Sequence, residues 1–346
     1  MKARFAVLPA IAFALVISLV APQASAAETI VWKIQSLFPA GTSDYAVFRD
    51  YFVPLVERMS GGRLIIKPFS GDSIIKNKEA LDGVAAGTFE GAQQSPAYWT
   101  GKDPGFVFVR NASAGFEISW QYQSWLDNGG GIELARELYA KQGVHLIALT
   151  LRPGESLHFK GLVKSLAEFK ANAPKVRTIP GIPTDLFRAM GGSPLYMSGS
   201  EVYSALDKGV IDVGEWTGLA ANYGIGMHEV SDSFLYPSFH SPVGVDDFFV
   251  SQKAWDALPD DLKAIVESAA RDWSTVQWQT MYLADSEALK KYKVAGNVHV
   301  VWSEDDMKRV RVMAREAWGI WRDKSPMAKR MFESQVSFMK QLGLLD

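Results

Sequence analysis

The sequence predicts an α/β protein built as two lobes with one long helix running along both. Three observations carry this. Strand-like and helix-like patterns alternate from residue 28 onward, which builds sheets covered by helices. The chain has 346 residues, beyond the size at which a single core usually keeps growing. From Pro259 to Tyr292 no helix breaker occurs, and Leu262, Ile265, Val266, Ala269, Trp273, Val276 and Leu283 recur at helical spacing. Such a helix is about 50 Å long, more than one small lobe can cover.

Residues 1–26 stand apart. Lys2 and Arg4 precede an apolar run over 5–20, and Ala24-Ser25-Ala26 follows. This is the pattern of a secretory leader with an A-x-A cleavage site, and it predicts a periplasmic protein. Pro9 interrupts an apolar run already short of the ~20 residues that a membrane span needs, so no direct membrane insertion is expected. The formal charge is −2, and −4 once Lys2 and Arg4 are gone. That mild acidity argues against nucleic acid and anionic lipid as partners. There is no cysteine, which excludes thiol catalysis, iron–sulfur clusters and cysteine-held zinc.

The elements follow in order. "ETIVWKIQS" (28–36) alternates as a strand does, and Ser43 or Asp44 can cap the helix "YAVFRDYFVPLVERMSGG", closed by Gly61-Gly62. "RLIIKPFS" (63–70) is a strand, and "KEALDGVAAGTFEGAQQ" a helix ending at Gly87, then a strand. This βαβα opening implies a mostly parallel sheet. "VHLIALTLRPGESLHF" (144–159) is a strand leaving one lobe, a turn at Pro153-Gly154, and re-entry into a second lobe. "APKVRTIPG" and "GGSPLYM" flank the helix "PTDLFRAM". "GSEVYSALDKG" is a helix capped by Ser198 or Ser200 and stopped by Gly209, before a short buried run at Val210-Ile211 and Val213. Helices near 304–322 and 325–342 finish the chain. The expected division is 27–152 with 245–284 in lobe I, and 153–244 with 285–346 in lobe II.

Motifs of enzymes are missing: no GxGxxG, Walker loop, GxSxG elbow or HExxH. The five histidines lack metal-ligand spacing. Trp255, Trp273, Trp278, Trp318 and Trp321 follow apolar helix faces, as packing residues do. The segment 175–218 is different. Arg177 ends a short strand-like piece, and arginine's planar fork suits a carboxylate. At 215–216 a carboxylate and an indole, Glu215-Trp216, sit together where a buried strand surfaces.

"KVRTIPG", "MGGSP" and "GSEVYSALDKGVIDVGE" resemble the motifs around the ligand-binding arginine in substrate-binding proteins of TRAP transporters, the tripartite ATP-independent periplasmic family. "GRLIIKPFSG", "EALDGVAAGTFEGA" and "VSQKAWDALPDDLKAIVESAA" extend the likeness over nearly all of the mature chain. The resemblance implies a two-lobed periplasmic-binding-protein architecture with mixed sheets that closes by hinge bending. It also implies a non-enzymatic receptor that delivers a small organic acid to membrane permease subunits. A sensor that reads the same closure is the alternative partner. A hydrolase or lyase using Glu155 and Glu215 as acid and base would lack a nucleophile or histidine dyad.

"GEWTG" resembles the branch that binds 2-oxo and 2-hydroxy monocarboxylates through a bound ion. By that resemblance Arg177 holds the substrate carboxylate, while the Glu215 side chain and the Trp216 carbonyl coordinate the ion. Glu155 falls where the branch has a glutamine ligand. Two glutamates and a substrate carboxylate against one arginine suit Ca²⁺ better than Na⁺. His240 or Ser241, in "YPSFHSP", stands where the branch often has a glutamate, which removes an oxygen ligand. The rival reading has no metal: Arg177 takes a carboxylate and Glu155 an ammonium group, making a site for a zwitterion. Tyr98 and Trp99, in "SPAYWTG", fall where the first lobe closes over the ligand; each suits packing or ligand contact equally.

Export should remove residues 1–26, so N-terminal sequencing of the periplasmic protein should begin at Ala27. A mature chain that retains Met1 would contradict the leader.

Overall fold

A computed structural model describes residues 29–345; the expected leader lies outside the described residues. Two sheets form the lobes. The first holds β1 (Ile30–Gln35), β2 (Leu64–Phe69), β3 (Gly91–Gln94), β4 (Val144–Arg152) and β10 (Gly244–Ser251), in the order β2-β1-β3-β10-β4. The second holds β5 (Leu157–Phe159), β6 (Lys175–Thr178), β7 (Ser193–Tyr196), β8 (Val213–Glu215), β9 (Ser233–Leu235) and β11 (Val298–Val300), in the order β11-β9-β5-β8-β6-β7. The opening strands β1, β2 and β3 pair in parallel, as their helical crossovers require. β10 arrives from the other lobe and runs antiparallel to both β3 and β4. Both sheets are therefore mixed.

The helix expected after β1 is capped by Thr42, not Ser43 or Asp44: the Thr42 side chain accepts from the Tyr45 amide. Its middle, Phe48–Phe52, is wound as a π-turn just before Pro54. Proline lacks the amide that would close a normal turn, and its ring displaces the carbonyl four residues earlier, so the backbone widens there. β8 begins only at Val213. Val210 is 50% exposed, because 209–212 still serve the turn out of the helix Val202–Asp207, with Gly209 at φ +68°. The helices Ser119–Asn128 and Gly131–Ala140 had no counterpart in the sequence reading.

The long helix is Asp260–Val294, 35 residues. Its first half lays Leu262, Val266, Ala269 and Trp273 against the first lobe's core, where Phe52 stacks on Trp273 at 4.6 Å between ring centroids. Its far end packs Ala288 and Tyr292 against Leu219 and Phe234 of the second lobe. Between them the buried side is largely polar, Met281 excepted. Ser274 Oγ accepts from the Leu151 amide at 3.0 Å, and Asp285 accepts from the Ala220 amide at 2.7 Å and the Tyr236 hydroxyl at 2.9 Å. The helix thus changes from apolar to polar where it passes the junction.

The C-terminal helix, Pro326–Gln341, differs from expectation. It was assigned to lobe II, yet it returns to the first lobe. Phe332 packs on Phe108, Phe338 on Phe116, and Gln335 Nε2 donates to the Phe108 carbonyl at 2.7 Å. Its apolar face matches the helices 106–140 that the sequence reading had not found.

Trp99 and Tyr139 fix one acid in this core. Asp247, on β10, is fully buried and accepts from Trp99 Nε1 at 2.6 Å, from the Gln94 amide at 3.0 Å and from the Tyr139 hydroxyl. Burial pushes its pKa up from 3.8 to about 7, against the pull of those donors. The folded value then exceeds the unfolded one, so between those two values the native state keeps a proton that the unfolded chain has lost. Stability falls as pH rises through that window, by at most ~1.4 kcal/mol per pH unit from this group. The stability gap between wild type and Asp247→Asn, from urea titrations, should shrink from pH 4 to pH 7. A gap that stays constant would mean that Asp247 is ionised throughout.

Candidate functional site

The site is assembled by strand pairing at the junction. β5 and β8 are antiparallel with Leu157 opposite Glu215, and the Ser156 amide donates to the Thr217 carbonyl at 3.2 Å. Glu155 and Glu215 therefore emerge side by side. The two segments that cross between lobes also bond to each other: the Glu155 amide to the Ser241 carbonyl, and the Ser238 amide to the Glu155 carbonyl, both at 2.9 Å. This lays His240 across Glu155. The approach needs Gly154, since a Cβ there would lie 2.7 Å from the Pro242 carbonyl oxygen. β6 runs parallel to β8, Val176 against Val213, and so carries Arg177 to Glu215.

Three cations meet these acids. Arg110 follows the helix Phe106–Val109, and its Nη2 lies 3.0 Å from both oxygens of Glu155. Arg152 ends β4. It grips Asp246 through Nε at 2.9 Å and Nη2 at 3.1 Å, and its Nη1 donates to Thr217 Oγ1 at 2.7 Å. Arg177 donates from Nε and Nη2 to the Met197 carbonyl at 3.2 and 3.1 Å, and from Nη1 to the Glu215 carbonyl at 2.7 Å. Arg177 is 2% exposed, and one edge of its fork is already held. It is a built-in member of the second lobe, not the solvated arginine of an open cleft.

Glu155, Glu215 and His240 form the centre. One potential ligand atom from each lies within 4.8 Å of the others, and all three side chains are buried. His240 Nε2 stands 3.3 Å from Glu155 Oε2 and 3.8 Å from Glu215 Oε2, without the alignment of a hydrogen bond to either. Both Glu215 oxygens also lack hydrogen bonds; Oε1 has only the Arg177 charge, 3.0 Å away. His240 Nδ1 is 2.8 Å from Ser238 Oγ, which orients the ring. Burial would raise the pKa of Glu155, but Arg110, His240 and Arg152 outweigh it and hold it at about 2. Burial likewise opposes ionisation of Glu215, and Arg177 and His240 overcome it, lowering the pKa. For His240 burial lowers the pKa, and the two glutamates more than reverse this.

A cavity of about 30 Å³ beside this centre is lined by Tyr98, Arg110, Arg152, Glu155, Arg177, Trp216 and Thr217, among others. It lies between a chamber of about 680 Å³ that shares Tyr98 and Arg177, and one of about 310 Å³ that shares Arg152 and Thr217. Trp216 is half-buried, its indole seated over Gly199, where a Cβ would lie 2.1 Å from Nε1. Tyr98 faces the cavity, and burial pushes its hydroxyl up to about 12. Trp99 does not: it is fully buried and spends its N–H on Asp247. Of its two readings, the structure places Trp99 with packing.

The sequence reading missed Arg110 and Arg152. Each had a signal: "FVFVR" and "LTLR" carry a cation straight out of an apolar run, the same feature that drew attention to Glu215. Their presence also overturns the charge count of two glutamates against one arginine, since Glu155 already has its own cation.

Residues 36–323 match the model of the DctP family, bacterial extracellular solute-binding protein family 7. The chain belongs to this family. It is 26% identical over 312 residues to the monocarboxylate 2-oxoacid-binding periplasmic protein of Nostoc sp., covering 90% of this chain and 84% of that one. A TRAP periplasmic solute-binding protein from Rhodobacter sphaeroides, solved as an apo open structure, is 29% identical, with a TM-score of 0.74 over 91% of this chain and 99% of that chain. One from Colwellia psychrerythraea, with bound calcium and pyruvate, is 24% identical, with a TM-score of 0.82 over 92% and 96%. The two-lobed mixed α/β architecture of this family 7 chain is that of the TRAP periplasmic binding proteins. Among the described residues no helix is long and apolar enough to cross a membrane.

Breaking the Arg110–Glu155 pair tests the electrostatics. Arg110→Ala leaves a buried carboxylate uncompensated and should cost ~3–5 kcal/mol of stability. Adding Glu155→Gln should recover a large part of that loss in denaturant titrations. Additive losses would mean that the two side chains are not coupled.

Proposed function

We propose that this family 7 chain is a periplasmic receptor that closes on a small 2-oxo or 2-hydroxy monocarboxylate and presents it to a membrane permease, without catalysing a reaction. The observation that carries this reading is the burial of Arg177 and Glu155, which line a cavity of about 30 Å³ together with Tyr98 and Trp216. A cavity of that size holds about two waters. It suits a compact carboxylate head with one adjacent oxygen, the rest of the ligand extending toward a larger chamber.

Each part has a chemical task. Arg177 keeps part of its fork for the ligand carboxylate, which gains charge-assisted hydrogen bonds in a nearly dry site. Tyr98 from the first lobe and Trp216 from the second offer flat surfaces over the bound molecule. Glu155, Glu215 and the Trp216 carbonyl supply oxygens that could hold a cation against the ligand's second oxygen, as the resemblance implies. Glu215 Oε2 and His240 Nε2, neither of them in an aligned hydrogen bond, fit a cation at that position. Such an ion, when bound, supplies positive charge to the ligand's carboxylate and 2-oxygen. The zwitterion alternative is weakened by Arg110: it contacts both oxygens of Glu155, the group that would have met the ammonium.

Pyruvate titrated by calorimetry should bind, and alanine should not compete. Arg177→Ala should cost ~2–5 kcal/mol of binding, with Arg177→Lys at the lower end because it keeps charge and loses the fork. Wild-type affinity in Arg177→Ala would remove the carboxylate assignment. Small-angle scattering should show a smaller radius of gyration with saturating pyruvate than without it.

A further inference from the structure

We infer that the cluster of Glu155, Glu215 and His240 selects a nitrogen-accepting divalent ion, zinc or a neighbouring first-row transition metal, in preference to Ca²⁺ or Na⁺. The inference rests on the 2-oxo acid reading above and concerns which cation accompanies the ligand.

The argument starts from donor chemistry. Ca²⁺ takes oxygen ligands only, six to eight of them in flexible cages. Here one of the three side chains converging on the centre is an imidazole, and its free nitrogen points between the two carboxylates at 3.3 and 3.8 Å. Imidazole with carboxylate is the ligand set of Zn²⁺, Fe²⁺, Co²⁺, Ni²⁺ and Mn²⁺.

Geometry agrees. One donor atom from each side chain lies within 4.8 Å of the others, close enough for the three to converge on one ion. Ser238 Oγ lies 2.8 Å from His240 Nδ1, leaving Nε2 as the ligating atom, and Ser113 Oγ donates to the His240 carbonyl at 2.8 Å. This is the outer support that metal-bound histidines carry. Oxygen supply is also short for calcium. The other buried carboxylate nearby, Asp246, is taken up by Arg152, so it adds no oxygen toward a cage of six to eight. Charge does not separate Zn²⁺ from Ca²⁺, since both are divalent, so ligand type decides between them.

The test uses the mature protein after EDTA treatment and dialysis. Zn²⁺, Co²⁺ and Ca²⁺ are titrated separately by calorimetry, with and without pyruvate, and Co²⁺ also by visible absorption. Zn²⁺ should bind about 100-fold or more tighter than Ca²⁺, and Co²⁺ should develop visible bands. His240→Gln should lose the Zn²⁺ affinity and the cobalt spectrum. His240→Glu should restore an oxygen cage and invert the preference toward Ca²⁺. Circular dichroism and thermal melts of both variants establish that they fold. Tighter binding of Ca²⁺ than Zn²⁺ to wild type, or Zn²⁺ affinity unchanged in His240→Gln, overturns the inference. Pyruvate binding at full strength with no metal bound also overturns it, while leaving the 2-oxo acid reading intact. Failure of pyruvate and other 2-oxo acids to bind under every metal condition sinks that underlying reading instead.

Discussion

Charge can be taken out of water between two lobes only where each group meets its opposite close by, and in this protein that constraint centres on Arg152. Its guanidinium sits at the end of β4, grips Asp246 on the neighbouring strand β10, reaches Thr217 in the second lobe, and lies 3.8 Å from Glu155 and 3.9 Å from Asp44. Burial alone would lower its pKa; Asp246, Asp44 and Glu155 reverse that and raise it. Without Arg152, three buried carboxylates would repel one another. Their cost would fall on the two longest strands of the first sheet, whose pairing carries the chain between lobes.

This arrangement separates what is rigid from what can move. β4 and β10 are tied along their length, and Ser274 of the long helix bonds to the end of β4, so the first lobe and the first half of that helix form one body. Beside the site, the links from the first lobe to the 153–156 crossing and the second lobe include polar contacts made by side-chain tips: Arg152 to Thr217, and Arg110 to Glu155. Contacts of this kind can be exchanged for a ligand's own polar groups without opening a hydrophobic core. An apolar cluster also joins Phe187, Phe239 and Trp302 to first-lobe residues, and the backbone amide of Ala114 donates to the Phe239 carbonyl at 2.7 Å.

The fold was legible because its signals are periodic. The long helix, the βαβα opening and the last two helices were read within a residue or two, since each buries one continuous face. What failed was local or cooperative. The helices between 106 and 140 pack by aromatic contacts from several directions and show no clean stripe. The lobe membership of the C-terminal helix depends on that unseen surface. Of the site, the second-lobe members Arg177, Glu215 and Trp216 stood in one recognisable stretch, whereas Arg110 and Arg152 belong to the first lobe and meet the others only through folding. Trp99 lay next to a cavity residue in sequence but turns inward. Adjacent positions in a tight helical turn point in different directions, which sequence alone does not resolve.

Two departures that looked independent in the sequence are one exchange in space. Against the pattern the resemblance implies, an amide is replaced by a carboxylate at 155, and a carboxylate by His240 or Ser241, of which the fold brings His240 to Glu155. The crossing segments that carry them bond to each other at Glu155, Ser238 and Ser241, so the two side chains face across 3.3 Å. The negative charge has moved from one crossing to the other, and Arg110 meets it in its new place. An oxygen donor has given way to a nitrogen in this pair, and the inferred choice of cation follows from that change of donor. Arg177 and Glu215, on strands of the second lobe, are untouched by this exchange. On the proposed reading, recognition of the acid rests with Arg177 and choice of the ion with the two crossing segments, so the two can vary independently.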